Sequence, residues 1–541
     1  MTLSRRSCYA IIACAVALAM GLSLRNGFVY DDLPAIVRNT RITDPGNWHT
    51  IPRAPYWLGT LWRPFTVAMY AVQWLFGHGA PWIFHLTSLV VYFAIGALLF
   101  ELMVRLGSAT VTACAVATLF VVHPVHVEAV ANSVGQAELW AALWMIAATL
   151  MYVKAREAHA ERSALVPLLA LVALGIMSKE QGFVVPLLLG GAEWLLFTDS
   201  GESWRARVRL LVPVTALAAL MFVVRGVLLN SNIGETPAVA LRNLDLTGRV
   251  VTFFGVVPEW ARLIAEPWHL QADYSPPGIP VGGPLLLRHV IGLLVVAAFV
   301  TLFVVLRKRQ PVAAFGLFFA AVALAPVSNL LTPTGIVMAE RVLFLPTVGL
   351  AIALAGSNPG HSTAKGGAKT RGPAWSRMTL AFIALVASLF TVRSATRVTT
   401  WQSQERFFTD ITVDAADAYR GWKVAAEYWD EQHDRPRAVA DLKQSIALWP
   451  HDYEVFERLG QIYRQDGHCD EAIPIFQAGV DADADASTVR AKLVECLLTE
   501  KRWDEAERVA NEGVAAGQEE FKPMQERVRR MRERGDSVRT H

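Results

Sequence analysis

The chain has 541 residues, 53% of them hydrophobic and 18% charged, with a formal net charge of +3. This length makes room for more than one domain, and so small a charge gives no footing for nucleic acid. The averages join two unlike parts: roughly the first 395 residues are long apolar stretches, and the rest is polar, charged and rich in Ala. The positive mean hydropathy of +0.35 comes from the first part.

Residues 1–24 (MTLSRRSCYAIIACAVALAMGLSL) combine a basic start with an apolar run. They read as a first span or as a cleavable signal segment, and either reading puts the next residues outside. Crossing ~30 Å of hydrocarbon takes about 20 apolar helical residues. Runs of this kind fall near 8–24, 82–104, 109–123, 138–153, 164–178, 181–198, 208–229, 286–306, 312–330, 341–357 and 376–393. The expected fold is therefore all-α: a polytopic bundle of about eleven spans over 1–397, followed by a helical tail. Arg5 and Arg6, Arg105, Lys154 and Arg156, Arg205 to Arg209, Arg307 to Arg309, and Lys365, Lys369 and Arg371 all fall on one side of that arrangement. By the positive-inside rule the N-terminus is cytoplasmic and the tail extracytoplasmic. The Gly/Lys-rich stretch 358–373 reads as a cytoplasmic loop. The longer loops 25–81, 124–137, 230–285 and 331–340 belong to the external side, and WRPFTVAMYAVQWLF (62–76) reads as a helix lying at the interface.

The tail repeats. Aligning 419–452, 453–486 and 487–520 gives the tetratricopeptide period of about 34 residues. Ala438, Ala472 and Ala506 share one position, where two helices cross closely; Trp429, Tyr463 and Leu497 share another. About three repeats over 398–520 make a short α-solenoid, followed by a charged stretch at 521–541. Cys8, Cys14 and Cys114 lie in apolar segments, whereas Cys469 and Cys496 lie in the tail, where a disulfide is open if that side is oxidising.

Residues with chemical potential gather on the external side. Asp31 and Asp32, in GFVYDDLP, are adjacent carboxylates after the first span; mutual repulsion and burial raise a pKa and tune a general base, although a solvated helix-end turn reads the same way. VVHPVHVEAVANSVGQAE brings His123, His126, Glu128, Gln136 and Glu138 to a span end. Their spacing matches no metal motif of strict geometry, so a polar cavity lining is expected, with histidines satisfied at the interface as the plain alternative. Lys179 and Glu180 in MSKEQG, Glu340 and Arg341 in AERVLFLP, and Arg225 in MFVVRGVLL place charge at or within apolar runs. Lys179, Arg225 and Arg341 near one membrane face suit an anionic lipid head group or a diphosphate, with snorkelling the alternative for Arg225. PEWARLIAEPWHLQADYSPPG (258–278) looks like an interfacial helix leading to a turn. No P-loop, no GxGxxG after a strand and no GxSxG elbow occurs.

YDD, WRPFT, FHL, HPVHVEAVA, SKE, PWHLQADYS and MAERVLFLPTVG, in this order and followed by tetratricopeptide repeats, resemble the transmembrane and tetratricopeptide-repeat O-mannosyltransferases of the GT-C glycosyltransferase superfamily. The resemblance runs from about residue 26 to 520. It implies an inverting membrane glycosyltransferase that moves a sugar from an undecaprenyl- or dolichyl-phosphate carrier to an acceptor on the extracytoplasmic face. In its terms Asp31 or Asp32 is the base. Arg63, Lys179, Glu180, Arg225 and Arg341 serve the lipid phosphate, and His123, His126 and Glu128 line the cavity. The candidate acceptor is protein Ser/Thr and the candidate sugar mannose, while the repeats take an acceptor or partner protein. No divalent metal is expected. The Ala-, Val- and Arg-rich composition points to a bacterial inner membrane, with the tail periplasmic. Only about three repeats stand where the family often has many more. A membrane-anchored scaffold without catalysis is the rival reading, and a transporter of lipid-linked sugar is a third.

Overall fold

In a computed structural model of the chain, residues 3–56, 61–197, 204–230, 237–357 and 375–539 are described. The expected cytoplasmic loop 358–373 and part of the expected external loop, 231–236, lie outside the described residues. Among the described residues there is no β-strand, only one isolated bridge between Pro277 and Ala418. The all-α class stands.

The chain divides into two units, Met1–Ala272 with Gly282–Phe407, and Asp273–Val281 with Phe408–His541. In the first, seven described helices are long and apolar enough to cross a membrane: Arg5–Arg25, Pro81–Arg105, Ser133–Glu157, Glu161–Ser178, Val208–Leu229, Leu287–Arg309 and Arg377–Trp401. An eighth is possible if Thr110–Val121 and Pro124–Ala131 count as one span bent by 52°. The bend falls at Pro124, which has no N–H to continue the ladder. The unit thus reads as a multi-pass membrane domain. Helices Leu287–Arg309 and Arg377–Trp401 bury only 11% of their apolar windows, as lipid-facing helices do.

Here the span count departs from about eleven. The runs 181–198, 312–330 and 341–357 do form helices, but short ones: Val185–Leu196, Pro311–Leu324 and Phe344–Gly356. The first and third follow 3-10 turns that carry polar residues of the site described below, and Pro311–Leu324 runs into a 3-10 turn whose Pro326 and Val327 line the same cavity, so helix length is given up where the chain must line a cavity. Helices 311–324 and 344–356 form an intimate hairpin. A Cβ on Gly316 would lie 2.2 Å from the backbone nitrogen of Ala353, and one on Gly349 would lie 2.4 Å from that of Ala320. Only glycine permits that approach, which gives apolar helices close packing where the hydrophobic effect cannot drive association.

Helix Pro64–Gly77 buries Thr66, Val67, Tyr70 and Gln73 against its own unit rather than standing apart. Gln73 and Gln136 exchange two amide hydrogen bonds of 2.9 and 2.8 Å, and Gln136 also donates to the Phe84 carbonyl at 2.9 Å. This buried clasp ties helix 64–77 to the start of Gln136–Glu157. At the far end of Gln136–Glu157, Arg156 is 3% exposed. It donates to both oxygens of Glu193 at 2.9 and 3.0 Å and to Glu161 at 2.8 Å. The Tyr152 hydroxyl donates to Glu193 at 2.8 Å.

The second unit is built of helix pairs one repeat apart. Tyr419–Glu431 pairs with Arg435–Leu448, Tyr453–Gln465 with Cys469–Ala482, and Ser487–Thr499 with Trp503–Ala515. Ala438, Ala472 and Ala506 are each fully buried at the helix crossings, as the alignment requires. Ion pairs join the first helices of successive repeats, Lys492–Glu457 at 2.6 Å and Arg464–Glu495 at 2.8 Å, and Lys423 reaches Asp452, the N-cap of Tyr453–Gln465, at 3.1 Å. Cys469 and Cys496 form a disulfide between the second and third pairs. The stretch 521–541 is helical over Phe521–Arg539, and its Phe521 and Val528 are fully buried in the solenoid core. Segment 273–281 also belongs to this unit. Tyr419 N–H donates to Pro276 O at 3.0 Å, Gly278 N–H to Asp417 O at 3.1 Å, and Arg420 N–H to Ser275 Oγ at 3.0 Å.

Candidate active site

The two adjacent aspartates have different surroundings. Tyr30 sits at φ +53°, a left-handed conformation uncommon for a tyrosine, and its ring stacks on Phe407 at 5.5 Å. After this turn Asp32 is buried: Oδ2 accepts from Val29 N–H at 3.1 Å and Oδ1 from Val134 N–H at 2.8 Å. Burial pushes the Asp32 carboxyl up to about 7, with the Asp31 charge adding to the rise and the Val29 and Val134 amides opposing it. Asp32 braces the first loop against the start of helix 136–157. Asp31 instead lines an open cavity.

The SKEQG turn supplies the next wall. A Cβ on Gly182 would fall 2.5 Å from the Gly175 carbonyl, so only glycine lets the chain fold back onto the end of Glu161–Ser178. That reversal buries Lys179, whose ammonium is bonded to Glu138. Burial pulls the Lys179 pKa below the ordinary lysine value; Glu138 resists this, and Arg63 and Arg341 add to it. Glu180 turns the other way and accepts from Nε and Nη2 of Arg63 at 2.9 and 2.7 Å, and from Trp62 N–H at 3.3 Å. Burial would raise the Glu180 pKa, but the Arg63 charge and its hydrogen bonds outweigh that and hold it below the usual range. Arg63 in turn lies over the Tyr56 ring, 4.9 Å from its centroid.

HPVHVEAVA acts behind this wall. His126 Nδ1 lies 2.8 Å from Tyr92 Oη and Nε2 lies 2.8 Å from Thr347 Oγ1. Because Thr347 donates to the Phe344 carbonyl at 2.7 Å, the assigned tautomer has Nε2–H donating and Nδ1 accepting from Tyr92. His123 Nε2 pairs with the Ile264 carbonyl at 3.0 Å. These bonds seat Glu128, which accepts from the Arg341 backbone N–H at 2.8 Å and pairs with its guanidinium. Arg341 Nε also lies 3.8 Å from Glu138. Among the described residues no three His, Cys, Asp or Glu side chains are grouped to hold a metal ion.

The cavity so formed holds about 440 Å³ and lies wholly within the membrane unit. Its charged wall is Asp31, Arg63, Glu138, Lys179, Glu180, Arg225 and Arg341. The lining also includes the apolar side chains of Leu61, Phe183, Phe222, Val327, Leu331 and Pro333. Arg225, 3% exposed, reaches it from near the C-terminal end of helix Trp204–Leu229, within the apolar run MFVVRGVLL, whose Val223 and Val227 are 59% and 72% exposed. The volume is that of a small-molecule site, and a lining of both charged and apolar groups suits an anion attached to an apolar tail.

Residues 425–487 and 463–527 match the tetratricopeptide repeat family. Beyond the tail, the chain is 25% identical to protein O-mannosyl-transferase TMTC3 of Mus musculus over 503 residues, covering 85% of this chain and 53% of that protein. It is 26% identical to TMTC4 of Homo sapiens over 467 residues, covering 74% and 60% respectively. Tmtc2 of Drosophila melanogaster is 28% identical over 288 residues, half of this chain. Its relatives are protein O-mannosyl-transferases. The chain spans about half the length of the mouse and human TMTC3 proteins that it matches.

Of the residues singled out from sequence, Asp31, Arg63, Lys179, Glu180, Arg225 and Arg341 come together around this one cavity. Asp32, His123, His126 and Glu128 do not line it; they are buried and hold the wall in place. Glu138, expected with its neighbours in the HPVHVEAVANSVGQAE stretch to line a polar cavity, does line it, although the motif assigns it no role of its own. Its position in the first turn of helix 136–157, where the helix dipole favours a carboxylate, was the available signal. Tyr56 and Asn132 also line the cavity and carry no motif that marks them.

Proposed function

We propose that this cavity is the active site of a membrane glycosyltransferase that moves a sugar from a polyprenyl-phosphate carrier to an acceptor hydroxyl, with inversion, on the extracytoplasmic face. The observation that carries the reading is the presence of Asp31 in one cavity with Lys179, Arg225 and Arg341. The names of the relatives support transfer of mannose to protein, and protein Ser/Thr is accordingly the proposed acceptor.

In this scheme Asp31 takes the acceptor hydroxyl proton as the oxygen attacks the anomeric carbon. The bond from that carbon to the phosphate oxygen breaks, and its electron pair leaves with the lipid phosphate. Lys179 and Arg341 stabilise the charge that develops on the departing phosphate. Glu128 and Asp32 position rather than react. The apolar lining takes the first isoprene units, and the tail binds the acceptor or a partner protein. The carrier proposed is undecaprenyl phosphate in a bacterial inner membrane, with the N-terminus cytoplasmic.

The test is transfer of labelled sugar from polyprenyl-phosphate donors by purified protein in nanodiscs, wild type beside Asp31→Asn. Loss of transfer by on the order of 10³-fold in a variant of unchanged thermal stability is expected for a removed base. Equal turnover in Asp31→Asn would remove Asp31 from the chemistry.

A further inference from the structure

The charges on the cavity wall do more than attract an anion, because they are nearly balanced. Among the described lining residues four cations, Arg63, Lys179, Arg225 and Arg341, stand with three carboxylates, Asp31, Glu138 and Glu180, a net charge of +1. Glu128 pairs with Arg341 from outside the lining. Two of the carboxylates have other work: Glu180 is held by Arg63 and Trp62, and Asp31 is the proposed base. Glu138 is different. It sits between the two cations assigned to the phosphate, bonded to Lys179 and 3.8 Å from Arg341, with its side chain 4% exposed.

From this we infer that Glu138 is a specificity-determining residue: it sets the charge of the phosphate subsite so that a single phosphodiester is accepted and a diphosphate linkage is rejected. The inference rests on the reading of the cavity as a lipid-phosphate site. A sugar joined to its lipid through one phosphate carries one negative charge, which the wall balances. A sugar joined through a diphosphate carries two, and the second would stand against Glu138 in a region where water screens little. The same residue that keeps Lys179 and Arg341 paired before the donor arrives therefore limits how much negative charge they can take. Changing Glu138→Gln keeps the shape and removes one negative charge, leaving a wall of +2 by the same count.

The experiment compares two synthetic donors identical but for one phosphate, farnesyl phosphoryl mannose and farnesyl diphosphoryl mannose. Each is titrated into the purified full chain in nanodiscs. Wild type is expected to favour the monophosphate, and Glu138→Gln to shift the affinity ratio toward the diphosphate by on the order of tenfold or more. Should Glu138→Gln fold poorly because Lys179 is left without its carboxylate, the double variant Glu138→Gln/Lys179→Gln restores the count to +1. It should bind both donors more weakly while recovering the wild-type preference. An unchanged ratio in Glu138→Gln, or a double variant that shifts toward the diphosphate, overturns the role of Glu138 but leaves the lipid-phosphate reading intact. Failure of wild type to bind either donor overturns the reading and the inference together.

Discussion

Helix Gln136–Glu157 carries buried charge at both of its ends, and the two ends differ. Near its start Glu138 pairs with Lys179 and approaches Arg341 on the wall of a 440 Å³ cavity. Eighteen residues on, roughly 27 Å along the helix, Arg156 meets Glu161 and Glu193 with Tyr152 completing the set, and none of these lines the cavity. Both clusters are ionic and both are shielded from water. One has space in front of it and shares its carboxylate between cations; the other consumes its donors on its own acceptors. Buried charge alone therefore does not mark a site. Buried charge facing a void does.

The sharpest break of that comparison lies at the closed end. Arg156→Ala should destabilise the membrane unit by about 3–5 kcal/mol, because it strands two buried carboxylates. Thermal unfolding in detergent would show it, and the folded fraction should bind donor as wild type does. A changed donor affinity would mean the two ends are not independent. At the open end Lys179→Ala should do the reverse: donor affinity falls by an amount equivalent to about 1.5–3 kcal/mol, the range for a charge-assisted hydrogen bond. Stability should change less, since Glu138 retains Arg341 nearby.

Next comes Asp32, the brace. An amide offers one acceptor where the carboxylate offers two, so Asp32→Asn should cost about 1–3 kcal/mol through a stranded backbone amide. It should also alter the pH dependence. The Asp32 carboxyl is raised from its ordinary 3.8 to about 7, so the folded state keeps a proton that the unfolded chain releases. Its contribution is fully present below the unfolded value and is lost as pH rises through about 7. Wild type should therefore lose stability between pH 4 and 8, and the Asn variant should show a flatter curve; parallel curves would argue against the assignment. The smallest effect concerns Lys179, whose pKa is lowered by burial. Donor binding should weaken with rising pH earlier than a free lysine would dictate, and Lys179→Arg should extend binding to higher pH.

The same contrast explains what was legible in the sequence. Apolar runs and a 34-residue period are written in composition, so the membrane unit, the repeats and the fully buried Ala438, Ala472 and Ala506 could be anticipated. Charge placed against an apolar background is equally visible, and six of the ten singled-out residues line the cavity. Roles within a motif are not visible. Asp31 and Asp32 are the same residue type one position apart, and only the turn at Tyr30 decides which faces the void. His123 and His126 look like chemistry in one dimension, but their partners Ile264, Tyr92 and Thr347 come from distant segments. Arg156 reads as a cytoplasmic surface charge until Glu193, 37 residues away, closes on it. Nothing in 273–281 announces that it joins the unit of the tail, because backbone hydrogen bonds leave no mark in side-chain identity.

The central claim is that the donor lipid phosphate occupies the cavity beside Asp31. Its most direct test is photo-crosslinking with a polyprenyl-phosphate sugar carrying a diazirine on the first isoprene unit, with the adduct mapped by mass spectrometry. The account predicts adducts on the apolar lining, at Phe183, Phe222 or Leu331, competed by unlabelled donor and lost in Lys179→Ala. Competable adducts confined to residues away from the cavity, unaffected by Lys179→Ala, would contradict it.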